Sequence, residues 1–252
     1  MDLQLSGKRA LVTGGSRGIG KAIARVLAEE GVDVALLARD PDTLAAAAAE
    51  IAAATGRTVI GVSADTTRDD EVQRAVADAA RLLGGAIDIL VNAAAEPAGF
   101  AGPPPLAGIT GGYFHAELDT KVMGYIRCAQ AVVPGMRAAG WGRIVNISGL
   151  AARQTGNAVG SMRNVAVAAL TKNLADELGA AGINVTVVHP GLTRTERTAP
   201  LVAALAAGNS INHVVDADEV AHIVAFLCSP KSRAINGDAI AAGGGAPKAI
   251  HY

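Results

Sequence analysis

The strongest constraint on the fold is an alternation. Short, nearly unbroken apolar runs take turns with helix-forming stretches along the 252-residue chain. RALVTG at 9–14, DVALLAR at 33–39, TVIGVSAD at 58–65, IDILVNAA at 87–94, GRIVNISG at 142–149, INVTVVHPG at 183–191 and DAIAAGGG at 238–245 read as strands. Runs this continuously apolar suit strands covered on both faces. Helical patterns fill the gaps at 20–31, 41–56, 68–84, about 115–139, 160–178 and 217–229. Gly31 closes the first, Pro41 opens the second, and acids in the first turn of the third suit its dipole. Strict β–α alternation predicts an α/β fold: one domain, a doubly wound parallel sheet with helices on both faces and right-handed crossovers. Residues 96–114, EPAGFAGPPPLAGITGGYF, break the pattern and read as a long loop suited to a substrate wall. A second variable segment is expected at about 193–214.

Composition narrows the function classes. A formal net charge of −1 argues against a general nucleic-acid or membrane-surface binder. The first residues, MDLQLSGKRALVTGG, have no signal-peptide core, and no run approaches the roughly 18 apolar residues of a membrane span. A cytoplasmic location is the expectation. Cys128 and Cys228 both fall in apolar helical patterns and read as buried, reduced thiols. No metal site is expected.

TGGSRGIG at 13–20 joins the first strand to the first helix. Gly14, Gly18 and Gly20 stand where such a turn needs unusual backbone angles and close approach. With Ser16, Arg17 and Ile19 they would present helix N-terminal N–H groups to a pyrophosphate. This is a Rossmann-type dinucleotide loop. An acid ending the second strand would bind a ribose 2′-hydroxyl and favour NAD. Here Ala38 and Arg39 occupy that end. Arg17 and Arg39 suit a 2′-phosphate, so NADP (NADPH) is expected over NAD, with Asp40 read as the start of the next helix. Asp65 ends the third strand, beside Thr66, where an acid can bind the adenine amino group. Asn92, leading into Ala93 and Ala94, would brace the sheet while the small residues admit the cofactor ribose.

Together these residues resemble the short-chain dehydrogenase/reductase family. The resemblance runs from GKRALVTGGSRGIG to INGDAIAAGGG, with NAAA as a variant of the family's NNAG motif and HPGLTRT at 189–195 as its PG motif. It implies that Pro190, Gly191, Thr193 and Thr195 flank the nicotinamide. It also implies a homo-oligomer, a dimer or tetramer, built through the helices before and after the fifth strand. The face of Val165, Ala168, Ala169 and Leu174 would permit close helix packing.

The family's chemistry uses an Asn, a Ser, a Tyr and a Lys, and here the sequence departs. Registering LTK at 170–172 puts Gly160 at the Tyr position and Asn164 at the Lys position. NISG keeps Ser148, but the more usual serine position is Gly149. The Asn position, three residues before Gly124, is Lys121. Lys and Asn are thus exchanged across one cavity, and the tyrosine is absent. Tyr113, Tyr125, Tyr252 and His115 are candidates for the missing proton donor. Lys121 itself is another, if burial or Arg163 lowers its pKa. Arg163 would then bind an anionic group of the substrate. The catalytic candidates are Ser148, Lys121, Asn164 and Arg163.

Three functions compete. The first is an NADP-dependent oxidoreductase acting on the carbonyl or alcohol of a small molecule with a rearranged proton-transfer set. The second is an NADP(H)-binding regulatory protein without activity, the third a non-redox lyase or isomerase. Turnover, tight binding without turnover, and turnover without nicotinamide separate them.

Overall fold

The computed structural model describes residues 1–95, 102–199 and 208–246. Its elements in chain order are β1 (Arg9–Thr13), α1 (Gly18–Glu29), β2 (Asp33–Ala38), α2 (Pro41–Thr55), β3 (Val59–Ser63), α3 (Asp69–Leu82) and β4 (Ile89–Asn92). There follow α4 (Gly111–Leu118), a π-helical turn (Asp119–Met123), α5 (Gly124–Ala139), β5 (Gly142–Ile147), α6 (Ala158–Leu178) and β6 (Ile183–Pro190). Two short strands, β7 (Thr193–Arg194) and β8 (Val215–Asp216), precede α7 (Ala217–Cys228) and β9 (Ala239–Ala242).

Seven strands form one parallel sheet in the order β3-β2-β1-β4-β5-β6-β9. The expected doubly wound, Rossmann-type architecture is therefore present. Strand pleating divides the core. Ala10, Val12, Val34 and Leu36 face one layer with Ile23 and Leu27 of α1, Leu44 of α2 and Val224 of α7. Leu11, Ala35 and Leu37 face the other with Val72 of α3, Val132 of α5 and Leu178 of α6. Neighbours in one strand thus serve opposite layers, which is why the strands carry no polar residue at every second position. The sheet's winding reverses between β1 and β4, the position where such sheets open a ligand crevice at their carboxyl ends.

The expected loop at 96–114 needs correction. Residues 96–101 lie outside the described residues. Beyond them Leu106–Gly108 make a 3₁₀ turn, and α4 already starts at Gly111, capped by the Thr110 hydroxyl, which accepts from Tyr113 N at 3.1 Å. The helix expected at about 115–139 is two α-helices joined by a π turn that contains Lys121. The second variable segment, expected at about 193–214, begins with β7. Its start pairs with β8 as a parallel two-stranded ribbon, and 200–207 lie outside the described residues. On α6 the core-facing side is Val159, Gly160, Asn164, Val167, Thr171, Ala175 and Leu178. Val165 and Ala169, of the face expected to pack between subunits, are exposed on the single chain, next to exposed Met162. Among the described residues no helix is long and apolar enough to cross a membrane.

Candidate active site

Register brings the site together. Thr13, Asn92 and Asn146 lie side by side on β1, β4 and β5. Asn92 Nδ2 donates to Asn146 Oδ1 at 2.9 Å, and Asn146 Nδ2 donates to the Thr171 hydroxyl of α6 at 2.9 Å. Thr171 in turn donates to Val167 O at 2.8 Å. This buried chain ties the sheet to α6, so Asn92 braces the sheet as expected. Thr13 Oγ1 accepts from both Ala93 N and Ala94 N, at 3.0 and 3.1 Å, which holds the NAAA segment against β1.

The three glycines of the phosphate loop have separate reasons. Gly14 adopts φ +66°, and a Cβ there would come within 2.9 Å of Ala93 O. Gly18 adopts φ +58°, close to the Thr195 methyl. Gly20 has ordinary angles, but a Cβ would lie 2.2 Å from Gly14 O, so α1 packs onto the strand end only without one. The loop fits an anion, because it already holds one: Gly18 N donates to the Glu196 carboxylate at 3.0 Å. Ser16 and Ile19 are half-buried in the loop, and Arg17 and Arg39 stand exposed at the strand ends. Asp40 accepts from Thr43 N at 2.8 Å and caps α2. That bond, the Thr43 hydroxyl and the nearby Arg17 hold its carboxyl below the usual range. Asp65 is a turn residue whose Oδ1 accepts from Thr67 N and Oγ1, both at 2.9 Å. Thr66 is buried against Gly124, where a Cβ would lie 3.1 Å from its Cβ and hydroxyl.

On the far side of the crevice, Pro190 ends β6 and Gly191 N donates to Ala242 O at 3.1 Å. A Cβ on Gly191 would lie 2.9 Å from Gly243 Cα. Thr193 is buried and donates to Gly191 O; Thr195 N donates to the Thr198 hydroxyl, which donates to Thr193 O. This laced turn carries Glu196 back to the phosphate loop. No residue spacing foretold that fold-back, although Glu196 directly follows the PG segment.

The catalytic candidates converge. Lys121, only 5% exposed, donates to Ser148 O at 3.0 Å and to Asn164 Oδ1 at 3.2 Å. Ser148 Oγ donates to Asn164 O at 3.1 Å, so that hydroxyl is engaged by α6. Burial, then the positive field of Arg163, push the Lys121 pKa down to about 7, against a smaller opposing pull from Glu117. The anion bound by Arg163 is Glu117 of α4, in an ion pair little exposed to solvent, which corrects the substrate role expected for Arg163. Tyr125 is buried with its hydroxyl donating to Ile147 O at 2.8 Å, and its pKa is raised by burial, so it packs rather than transfers protons. His115 is exposed, with its ring edge-on to Phe114, and Tyr113 lies in the first turn of α4. Tyr252 lies outside the described residues. At Gly160 a Cβ would meet the side chain of Asn157, which caps α6 by accepting from Gly160 N at 2.8 Å. His189, unremarked in the sequence, is buried beside the site. Its Nδ1 accepts from Gly149 N at 3.4 Å, and burial, Arg153 and Lys121 push its pKa down to about 4.

The chain belongs to the short-chain dehydrogenase family: residues 8–206 match the family described as short chain dehydrogenase. It is 35% identical to dehydrogenase/reductase SDR family member 4 of Oryctolagus cuniculus, over 98% of this chain and 96% of that protein. The L-sorbose reductase of Gluconobacter frateurii, solved with NADPH and L-sorbose, superposes with a TM-score of 0.90 at 29% identity, over 99% of this chain and 100% of that one. A 3-oxoacyl-[acyl-carrier protein] reductase of Brucella melitensis with bound NAD gives 0.87 at 26% identity, over 95% and 91% of the two chains. Membership places the chain among the oxidoreductases of that family.

Proposed function

We propose that the protein is an NADPH-dependent reductase of small carbonyl compounds in which Lys121 supplies the proton. The observation that carries this reading is the buried Lys121 ammonium, held by Ser148 O and Asn164 Oδ1. An ammonium has three N–H bonds, so two anchors leave one for a substrate oxygen. A donor with a pKa of about 7 is charged in about half of the molecules at neutral pH, and it releases its proton without a large penalty. Reduced nicotinamide, when bound, supplies the hydride. The chain's part is to orient the carbonyl, exclude water and protonate its oxygen. The Lys121 N–H bond breaks as the alcohol O–H forms, leaving a neutral amine that solvent recharges.

The phosphate loop supports a dinucleotide, with Glu196 marking where its pyrophosphate would sit. Arg17 and Arg39 favour the 2′-phosphate of NADP over NAD, since Asp40 is committed to capping α2. Asp65, Thr66, Asn92, Ala93 and Ala94 would line the adenosine and ribose side, and Pro190, Gly191, Thr193 and Thr195 the nicotinamide side. Exposed Met162, Val165 and Ala169 of α6 support a homo-oligomer. The buried free thiols Cys128 and Cys228 suit a reducing, cytoplasmic setting.

The test is NADPH oxidation against a panel of carbonyls, with NADPH affinity measured in parallel. Lys121→Met should bind NADPH like the parent and lose on the order of 10²–10⁴-fold in turnover. Undiminished turnover removes Lys121 from the mechanism. The lack of side chains at Gly149 and Gly160 favours a second reading, a cofactor-binding regulator, which tight NADPH binding with no turnover on any carbonyl or alcohol would establish.

A further inference from the structure

We propose that the side-chain amide of Asn164 polarises the substrate's carbonyl oxygen, taking the place of the hydroxyl that position 149 lacks. This rests on the reductase reading above and assigns one interaction within it.

Three observations converge on Nδ2 of Asn164. First, Lys121 fixes the amide's orientation. Its ammonium offers donors and no acceptor, so the atom facing it at 3.2 Å is the amide oxygen and Nδ2 is turned the other way. Second, that other way is open. Among the described residues, its own chain neighbours apart, a Cβ built on Gly149 would meet Asn164 Nδ2 at 3.2 Å and Asn164 Cγ at 3.8 Å, and nothing else within 4 Å. The nearest wall of the cleared space is therefore a pair of N–H bonds. Third, among the described residues none accepts from Nδ2, although Asn164 is only 3% exposed. Its other polar side-chain atom and its backbone carbonyl are both taken, by Lys121 and by the Ser148 hydroxyl.

The amide is thus rigid, aimed and unspent. It projects from a helix whose backbone is fastened to Ser148, just past β5, and so needs no reorganisation when charge develops on a substrate oxygen. The Lys121 ammonium drawing on Oδ1 makes the Nδ2 hydrogens better donors, as chained hydrogen bonds do. The same side chain then has two functions, receiving one N–H of Lys121 and presenting its own to the substrate. In the hydride step two electrons arrive at the carbonyl carbon and negative charge moves to the oxygen, where Nδ2–H meets it. The proton that follows comes from Lys121.

The experiment uses the full chain with NADPH and two probe carbonyls, 2,3-butanedione and L-sorbose. Asn164→Ala should lower kcat on the order of 10²–10³-fold, the effect of removing one such donor. NADPH affinity should stay within about twofold of the parent, as a donor aimed away from the cofactor requires. Gly149 has φ 171° and ψ 154°, extended backbone open to any residue, and Asn164→Ala removes the one side chain a Cβ there would crowd, so Gly149→Ser fits in that background. In the Asn164→Ala background that hydroxyl should restore about tenfold or more of the lost rate. If Asn164 merely holds Lys121, the serine restores nothing. That result overturns the proposal, as does turnover retained by Asn164→Ala. A readout independent of turnover is the side-chain amide resonance of Asn164 in ¹⁵N-labelled parent protein with NADP⁺, identified by its loss in Asn164→Asp. It should shift when ¹³C-carbonyl butanedione is added, with the bound carbonyl carbon moving downfield. A shift without turnover keeps the donor assignment and removes the reductase reading. Turnover without a shift removes the donor assignment alone, and neither signal removes both.

Discussion

At the residue scale, the site joins buried polar atoms that are tied by single partners, as Asn146 Nδ2 is to Thr171, to others left without one among the described residues, as Asn92 Oδ1 is. The chain Asn92–Asn146–Thr171 has no redundancy: among the described residues Thr171 alone receives Asn146 Nδ2. Thr171→Val keeps the shape and removes the acceptor, leaving a buried donor unpaired. It should cost about 1–3 kcal/mol of stability, read as a shifted denaturation midpoint with an unchanged slope. Glu196 is a contrasting case, because its carboxylate sits on the amide that a pyrophosphate would need. Glu196→Ala removes both the competitor and a like charge. NADPH should then bind several-fold more tightly, a change of about 1 kcal/mol, which calorimetric titration would read as a lower Kd. An unchanged or weaker Kd would mean that Glu196 does not contest the loop.

At the scale of elements, the α4–π–α5 segment determines the electrostatics of the site. Glu117 and Lys121 are four apart, and a regular helix would stack them on one face. The π turn at Asp119–Met123 intervenes. Lys121 reaches across to Ser148 O and Asn164, and Glu117 instead meets Arg163 of α6. Lys121 thus lies within the opposed fields of one cation and one anion, the cation's the larger, with burial as the main influence and His189 also near. On the proposed mechanism reduction needs the ammonium, so its rate should fall as pH rises through about 7, while alcohol oxidation, which would need the amine, should rise. Arg163→Gln removes the repelling cation and should move both midpoints to higher pH. Glu117→Gln removes the attracting anion and should move them lower. Rate–pH profiles of the two variants displaced in the same direction would refute this electrostatic account. The family resemblance, registered on Gly124 and the LTK segment, could name Lys121 and Asn164 as an expected exchange. It could not show Glu117 taking Arg163, since a π turn leaves no mark in hydrophobic period and the partners lie 46 residues apart.

At the scale of the whole molecule, the β–α alternation alone specified the doubly wound sheet, because each strand's apolar run declares two covered faces and each connecting helix one. What lay beyond it were the tertiary returns: Glu196 onto Gly18, and Asn146 onto Thr171, which depend on how elements stack rather than on what each prefers. A buried lysine also bears on global stability. In the unfolded chain Lys121 titrates near its ordinary 10.5, while in the folded chain it titrates near 7. Between those values the unfolded state binds more protons, so this group makes folding less favourable as pH falls from about 10 to about 7 and has no further effect below. Lys121→Met has a similar volume and no such titration. The difference in melting temperature, variant minus parent, should therefore grow as pH falls from about 10 toward about 7 and level off beneath it, other groups cancelling in the comparison. Thermal denaturation at one-unit pH intervals would measure it. A difference that stays flat across the range would mean that Lys121 remains charged in the fold up to its ordinary pKa, and the chain would then need another proton donor.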